Sequence, residues 1–145
     1  MKKPHHNATA DCPCGSALAY GDCCGIWHRG LIEDLHAPTP EALMRSRYSA
    51  YALGLSSYLL ATWHGATAPG ELELSPVKWL GLEVRHAESA GDAGVVEFVA
   101  RLRDNFTGRA QRLHEVSRFF RETARGIERW YYIDGQEPIN QTVPE

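Results

Sequence analysis

The sequence predicts an α+β domain preceded by a small metal-binding knuckle. Three observations carry that prediction. All four cysteines fall within Cys12–Cys24. Two segments of helical periodicity follow, over residues 40–64. Four segments of strand periodicity, joined by short turns, then fill residues 80–135. Helices first and strands after is the order of an antiparallel meander packed on helices.

The totals fit one domain with an attached module. The chain has 145 residues, with 43% hydrophobic and 23% charged, an ordinary globular composition. A formal net charge of −3 provides no global positive field, so nucleic acid is not an expected partner. No apolar run reaches the roughly 18 residues that a membrane span needs. Lys2 and Lys3 are not followed by an apolar segment, so no secretory leader is read. The cysteines are therefore expected in reducing cytoplasm, where a metal site is favoured over disulfides.

Residues 1–10 read as a flexible tail, with His5 and His6 solvated in it. The knuckle follows over residues 11–28. Cys12 and Cys14 form one thiol pair, and Cys23 and Cys24 form a second across a Gly-containing loop. Two such pairs can wrap one tetrahedral ion. Zn²⁺ is the expected guest, because it accepts four thiolates without redox chemistry. His28 is an alternative fourth ligand if Cys23 and Cys24 cannot both reach the ion. A module this short has no core of its own, so metal and docking must order it, with Trp27 as the docking anchor. The second domain is expected to stay folded without it.

Residues 29–38 read as a linker. Thr39 then caps a helix over Pro40–Leu53, with Pro40 at the first position, Glu41 in the first turn and Gly54 at the end. A second helix is expected from Ser56 or Ser57 through His64, stopped by Gly65. Leu80, Leu82 and Val84 alternate with polar neighbours in a first strand. Glu88–Gly94 reads as its turn, and Val96, Phe98, Ala100 and Leu102 alternate in the second strand. The third strand is expected over Arg109–Glu122, with Leu113, Val116, Phe119 and Phe120 as its apolar residues. Trp130–Ile133 forms the fourth, ended by Asp134-Gly135. Residues 136–145 read as a C-terminal tail.

Two resemblances attach to these motifs. Cys12-Pro13-Cys14-Gly15-Ser16, Tyr20 and Cys23-Cys24 resemble the SEC-C zinc motif, known from the tail of the SecA translocase and recurrent in bacterial proteins. The motif continues Gly-Ser-Gly-Lys after its second cysteine, whereas this chain has Gly15-Ser16-Ala17-Leu18. Leu43–Tyr51, Tyr58–His64, Leu113–Phe119 and Arg129–Gly135 are similar in order and spacing to the bacterial YchJ family. That resemblance implies a nuclear-transport-factor-2-like domain over residues 39–135, a cone made by a curved antiparallel sheet wrapped on helices. Some members carry a second SEC-C motif at the C-terminus, and the absence of cysteine after Cys24 predicts none here. The family supplies no activity to carry over.

Polar residues inside the apolar patterns mark a candidate pocket: Arg47, Tyr51, Trp63, His64, His114, Glu115 and Ser117. Arg47 and Tyr51 share a helical face, and Glu115 and Ser117 share a strand face that His114 does not. Such a set binds a small polar ligand. A purely structural use pairs Arg47 with Glu115 and a histidine with a tyrosine. Eight arginines between Arg101 and Arg129 read as a solvated sheet face balanced by Glu97, Glu122 and Glu128. The leading functional expectation is a zinc-binding accessory protein. Its knuckle is structural or meets a protein partner, and its cone binds a partner or small ligand. The alternatives are an enzyme acting on a small polar substrate in the cone, and an RNA- or ribosome-associated module using the arginines.

Overall fold

The computed structural model describes residues 7–137. His5, His6 and residues 138–145 lie outside the described residues. In chain order the elements are a 3₁₀ turn at Tyr20–Asp22, α1 (Cys24–Gly30), a second 3₁₀ turn at Leu31–Glu33, α2 (Pro40–Leu53) and α3 (Ser56–Ala61). Strands β1 (Val77–Ala90), β2 (Ala93–Asp104), β3 (Ala110–Ala124) and β4 (Ile127–Gln136) complete the fold. The strands form one antiparallel sheet in the order β1-β2-β3-β4, so every connection is a hairpin. No helix among the described residues is long and apolar enough to cross a membrane.

α2 has the bounds its caps dictate. The Thr39 hydroxyl accepts from the Ala42 amide at 3.0 Å, and Gly54 closes the helix in a left-handed conformation with φ 76°. The helix lies in the concave face of the sheet, where Leu43, Met44 and Tyr48 share a core with Val96, Phe98, Ala100, Phe119 and Trp130. Ser46, Arg47 and Ser49 are buried as well, because α3 and the knuckle cover the sides of α2 that the sheet leaves open.

Four expectations change. α3 stops at Ala61, and residues 62–64 turn outward to extend the edge of the sheet. The Tyr132 amide donates to the Thr62 carbonyl at 2.9 Å, and the His64 amide donates to the Tyr132 carbonyl at 2.8 Å. Leu80 is 44% exposed rather than inward, because register shifts at Trp79/Gly81 and Val84/His86 put Trp79, Leu82, Val84 and Ala87 on the core side. The third strand buries Ser117 and Phe119, whereas Phe120 is exposed on the outer face. Asp134-Gly135 does not end β4 but pairs with Arg118 and Ser117 of β3.

The segment between knuckle and cone is structured too. Residues 24–30 form α1, and Gly30 and Ala37 are buried where a linker was expected. Residues 8–10 are also tied down, since the Tyr20 and Gly21 amides donate to the Ala10 and Ala8 carbonyls, each at 2.8 Å.

Candidate functional site

The knuckle is a short hairpin that runs into a helix. Asp11 bridges Ala19, and the Cys12 amide donates to the Leu18 carbonyl at 2.9 Å. Gly15 reverses the chain with φ 82°, close against the Leu82 carbonyl of β1. Ala17 also has positive φ, 71°, where the SEC-C pattern carries glycine. The 3₁₀ turn then delivers Cys23, and Cys24 opens α1. Gly25 must follow, because a Cβ there would lie 2.7 Å from the Tyr20 carbonyl oxygen.

This path brings the sulfurs of Cys12, Cys14, Cys23 and Cys24 within 4.8 Å of one another, with Cys23 alone partly exposed. The Cys14 and Cys23 sulfurs are 3.7 Å apart. An ion bound at about 2.3 Å by four thiolates in a tetrahedron separates them by about 3.8 Å. The donor set therefore fits a thiolate-preferring ion. All four cysteines are free thiols. Hydrogen bonds from the Cys12 and Cys24 thiols hold Cys14 far below the usual thiol range, and hydrogen bonds with Cys12 and Cys14, together with burial, push Cys24 up.

A polar shell surrounds the sulfurs, and sequence reasoning missed it. Ser16 Oγ lies 3.1 Å from the Cys23 sulfur, and Ser49 Oγ of α2 lies 3.6 Å from that of Cys12. Arg45 Nη1 donates to the Cys14 carbonyl at 2.9 Å and approaches its sulfur at 3.9 Å. Arg45 and Glu41 form an i,i+4 ion pair that reads as surface from sequence, and nothing in the chain order links α2 to the knuckle.

His28 is not among the clustered donors. Its Nε2 donates to the Ser46 carbonyl at 2.8 Å, so its Nδ1 accepts from the Tyr20 hydroxyl. Burial lowers its pKa. Trp27 is partly buried against both apolar clusters, one shared by cysteines and sheet and one formed by Ala50, Tyr58 and Leu59. Cys12, Cys14 and Cys24 thus belong to the same core as Phe98 and Trp130, which replaces the expectation of a separable knuckle with one continuous interior.

A cavity of about 290 Å³ opens between α2 and the concave face of the sheet. Of the candidate pocket residues, Arg47, Tyr51, Glu115 and Ser117 line it. Trp63 stands behind it, with the Arg47 guanidinium 5.2 Å from its ring and its own indole N–H buried without a hydrogen-bond partner among the described residues. His64 leaves for the outer face, where Nε2 meets Glu122 at 2.6 Å beside Phe120 and Tyr131. His114 lies on the opposite face of β3 from Glu115 and pairs with Glu97 at 2.7 Å. Tyr48, Trp79 and Tyr132 supply aromatic walls, of which the sequence pattern placed Tyr48 on the apolar helix stripe and Tyr132 in the fourth strand and did not single out Trp79.

Arg47 and Glu115 do not pair. Arg47 donates from Nη1 to the Leu59 carbonyl at 2.8 Å and to Thr62 Oγ1 at 2.7 Å, and its guanidinium carbon lies 4.4 Å from the Tyr132 ring centroid. Burial lowers its pKa, opposed by the neighbouring tyrosines. Burial alone raises that of Glu115, and Tyr132 is pushed up to about 12 by burial with the Glu115 charge adding to it. Among the arginines of the outer strands, Arg118 binds Asp134 through two hydrogen bonds at 2.8 and 2.7 Å, and Arg121 meets Asp92 and Glu128.

Two family models match the chain. One, described as the YchJ middle NTF2-like domain, covers residues 39–135, and the other, the SEC-C motif, covers residues 9–26. A UPF0225 protein of Bordetella bronchiseptica is 54% identical over 138 residues, which span 93% of this chain and 98% of that protein. A UPF0225 protein of Chromobacterium violaceum is 51% identical over 141 residues, spanning 92% and 97%. The solution structure of a SEC-C motif containing protein from Rhodopseudomonas palustris is similar at a TM-score of 0.74 and 37% identity, covering 88% of this chain and 98% of that one. The crystal structure of such a protein from Psychrobacter arcticus is similar at a TM-score of 0.75 and 28% identity, covering 93% and 86%.

Proposed function

The chain belongs to the YchJ family, a SEC-C motif joined to an NTF2-like domain, and from that premise we propose that it is a zinc-binding accessory protein whose metal is structural. The observation that supports this is the cluster of four sulfurs within 4.8 Å, three of them on buried cysteines. Cys12, Cys14, Cys23 and Cys24 fill a tetrahedral shell, so no coordination position remains for substrate, and the ion fixes the hairpin against α2. Thiols kept available for a metal suit a reducing compartment, the cytoplasm. The outward side of the knuckle, where Leu18 is 53% exposed, is the side left for a protein partner.

Native mass spectrometry tests the metal. The expected mass is that of the chain plus one zinc, lost to a chelator and absent from a Cys12→Ser/Cys14→Ser variant. Folded, metal-free protein with no affinity for added zinc overturns the proposal.

A second reading concerns the cone. Its cavity, with aromatic walls and a carboxylate that no cation among the described residues neutralises, favours a small-ligand site. A small aromatic probe that shifts the Trp79 and Tyr132 resonances supports it, and a cavity that admits none removes it.

A further inference from the structure

Arg47 and Glu115 carry opposite charges, border one cavity and leave each other unpaired. Both are costly to place there. Arg47 is 4% exposed, and among the described residues it meets a carbonyl, the hydroxyls of Thr62 and Tyr51 and two aromatic faces but no carboxylate. Glu115 forms no ion pair or hydrogen bond among the described residues, and β4 makes room for it. A Cβ at Gly135 would overlap its Oε2.

Resting on the reading of the cone as a small-ligand site, we propose that this cavity binds a small zwitterion with an apolar side chain, of the α-amino acid class. Its carboxylate meets Arg47 and its ammonium meets Glu115. Both Nη1 hydrogens of Arg47 are committed to Leu59 and Thr62. The remaining N–H groups of the guanidinium, shared with Tyr51, are the donors that receive the carboxylate. The ammonium is drawn to Glu115 and to the electron-rich face of Tyr132. Trp79, Phe98 and Leu113 take the apolar side chain. A space of about 290 Å³ lies at the lower bound of ligand pockets, which suits a small molecule.

The test is an NMR titration of the full chain with L-leucine, L-methionine and L-phenylalanine. Phenethylamine and 3-phenylpropionate, which each keep one charge of phenylalanine, and neutral indole serve as comparisons. The expected result is saturable shifts of the Trp79 indole N–H by at least one amino acid. Each single-charge analogue should bind at least tenfold more weakly than L-phenylalanine. Glu115→Gln should weaken the amino acids and phenethylamine tenfold or more and leave 3-phenylpropionate and indole unchanged. The analogue comparison needs no variant, so it stands if Glu115→Gln folds poorly. A single-charge analogue as tight as phenylalanine, or no effect of Glu115→Gln in a folded variant, overturns the proposal. Binding of indole without any amino acid overturns the ligand class and leaves the cavity reading intact. Silence from every probe, indole included, overturns both.

Discussion

Arg45 of α2 donates to the Cys14 carbonyl at 2.9 Å, and this bond ties the ligand loop to the helix at the centre of the cone. Its Nε binds Glu41 at 3.0 Å, which aims the guanidinium. Arg45→Ala is expected to cost about 1–2 kcal/mol of stability, the range for a charged hydrogen bond discounted for partial exposure. A thermal melt reads that loss, and competition with a chromophoric chelator should show faster metal release. Arg45→Lys should recover less than half of it, because an ammonium cannot serve both acceptors as a planar fork does.

Ala17→Gly should stabilise the protein. Ala17 has φ 71°, a conformation that strains a residue with a Cβ. Removing the Cβ is expected to yield about 0.5–1 kcal/mol, against the usual direction of substitutions to glycine. Chemical denaturation of the two proteins measures it, and an equal or lower midpoint for the variant contradicts it.

The His28 ring ties α1 to α2 while neutral. Burial lowers its pKa below the unfolded value near 6.5. Its contribution is therefore complete above pH about 6.5 and declines as pH falls from there toward the folded pKa, where the unfolded chain binds a proton that the folded one refuses. The sulfur cluster adds its own acid sensitivity, so the informative quantity is a difference. Between pH 7.5 and 5.5, the wild-type melting temperature should fall further than that of His28→Gln.

Gly135 and Glu115 should behave as a coupled pair. A Cβ at position 135 would displace the Glu115 carboxylate, so Gly135→Ala is expected to cost about 1–3 kcal/mol. In a Glu115→Ala background the same change should cost less than half as much. A double-mutant cycle measures the coupling, and additivity within about 0.5 kcal/mol would separate the two residues.

Local chemistry made parts of this molecule legible. Thr39, Pro40 and Gly54 fixed α2 at both ends, and the cysteine spacing marked the residues whose sulfurs converge. The alternation in β2 placed Val96, Phe98 and Ala100 correctly on the core face. Errors arose where a distant backbone decided the outcome. Trp63 and His64 continue a helical pattern, yet Tyr132 at the edge of β4 bonds the residues on either side of Trp63, the Thr62 carbonyl and the His64 amide. Asp134-Gly135 is a turn signal, yet the glycine is needed within the strand to clear Glu115. Leu80 keeps its alternation on paper, but a bulge reverses the face it occupies.

The candidate pocket divides for a similar reason. Period two separated His114 from Glu115 in advance, and the sheet honours that separation. Pairing between Arg47 and Glu115 looked natural from composition alone. The carbonyl of Leu59 and the hydroxyl of Thr62 capture Arg47 first, and their position depends on where α3 ends.

Shared burial of the cysteines also sets an order of events in time. During synthesis Cys12–Cys24 emerges first, and the strands bearing Phe98, Phe119 and Trp130, which complete the interior around it, emerge last. Cys12, Cys14 and Cys24 are therefore open to the cellular medium for most of the chain's production and are covered only when the final hairpin closes. An ion taken up in that interval is then held by three buried sulfurs, and Cys23, which stays partly exposed, is the side from which it would later exchange.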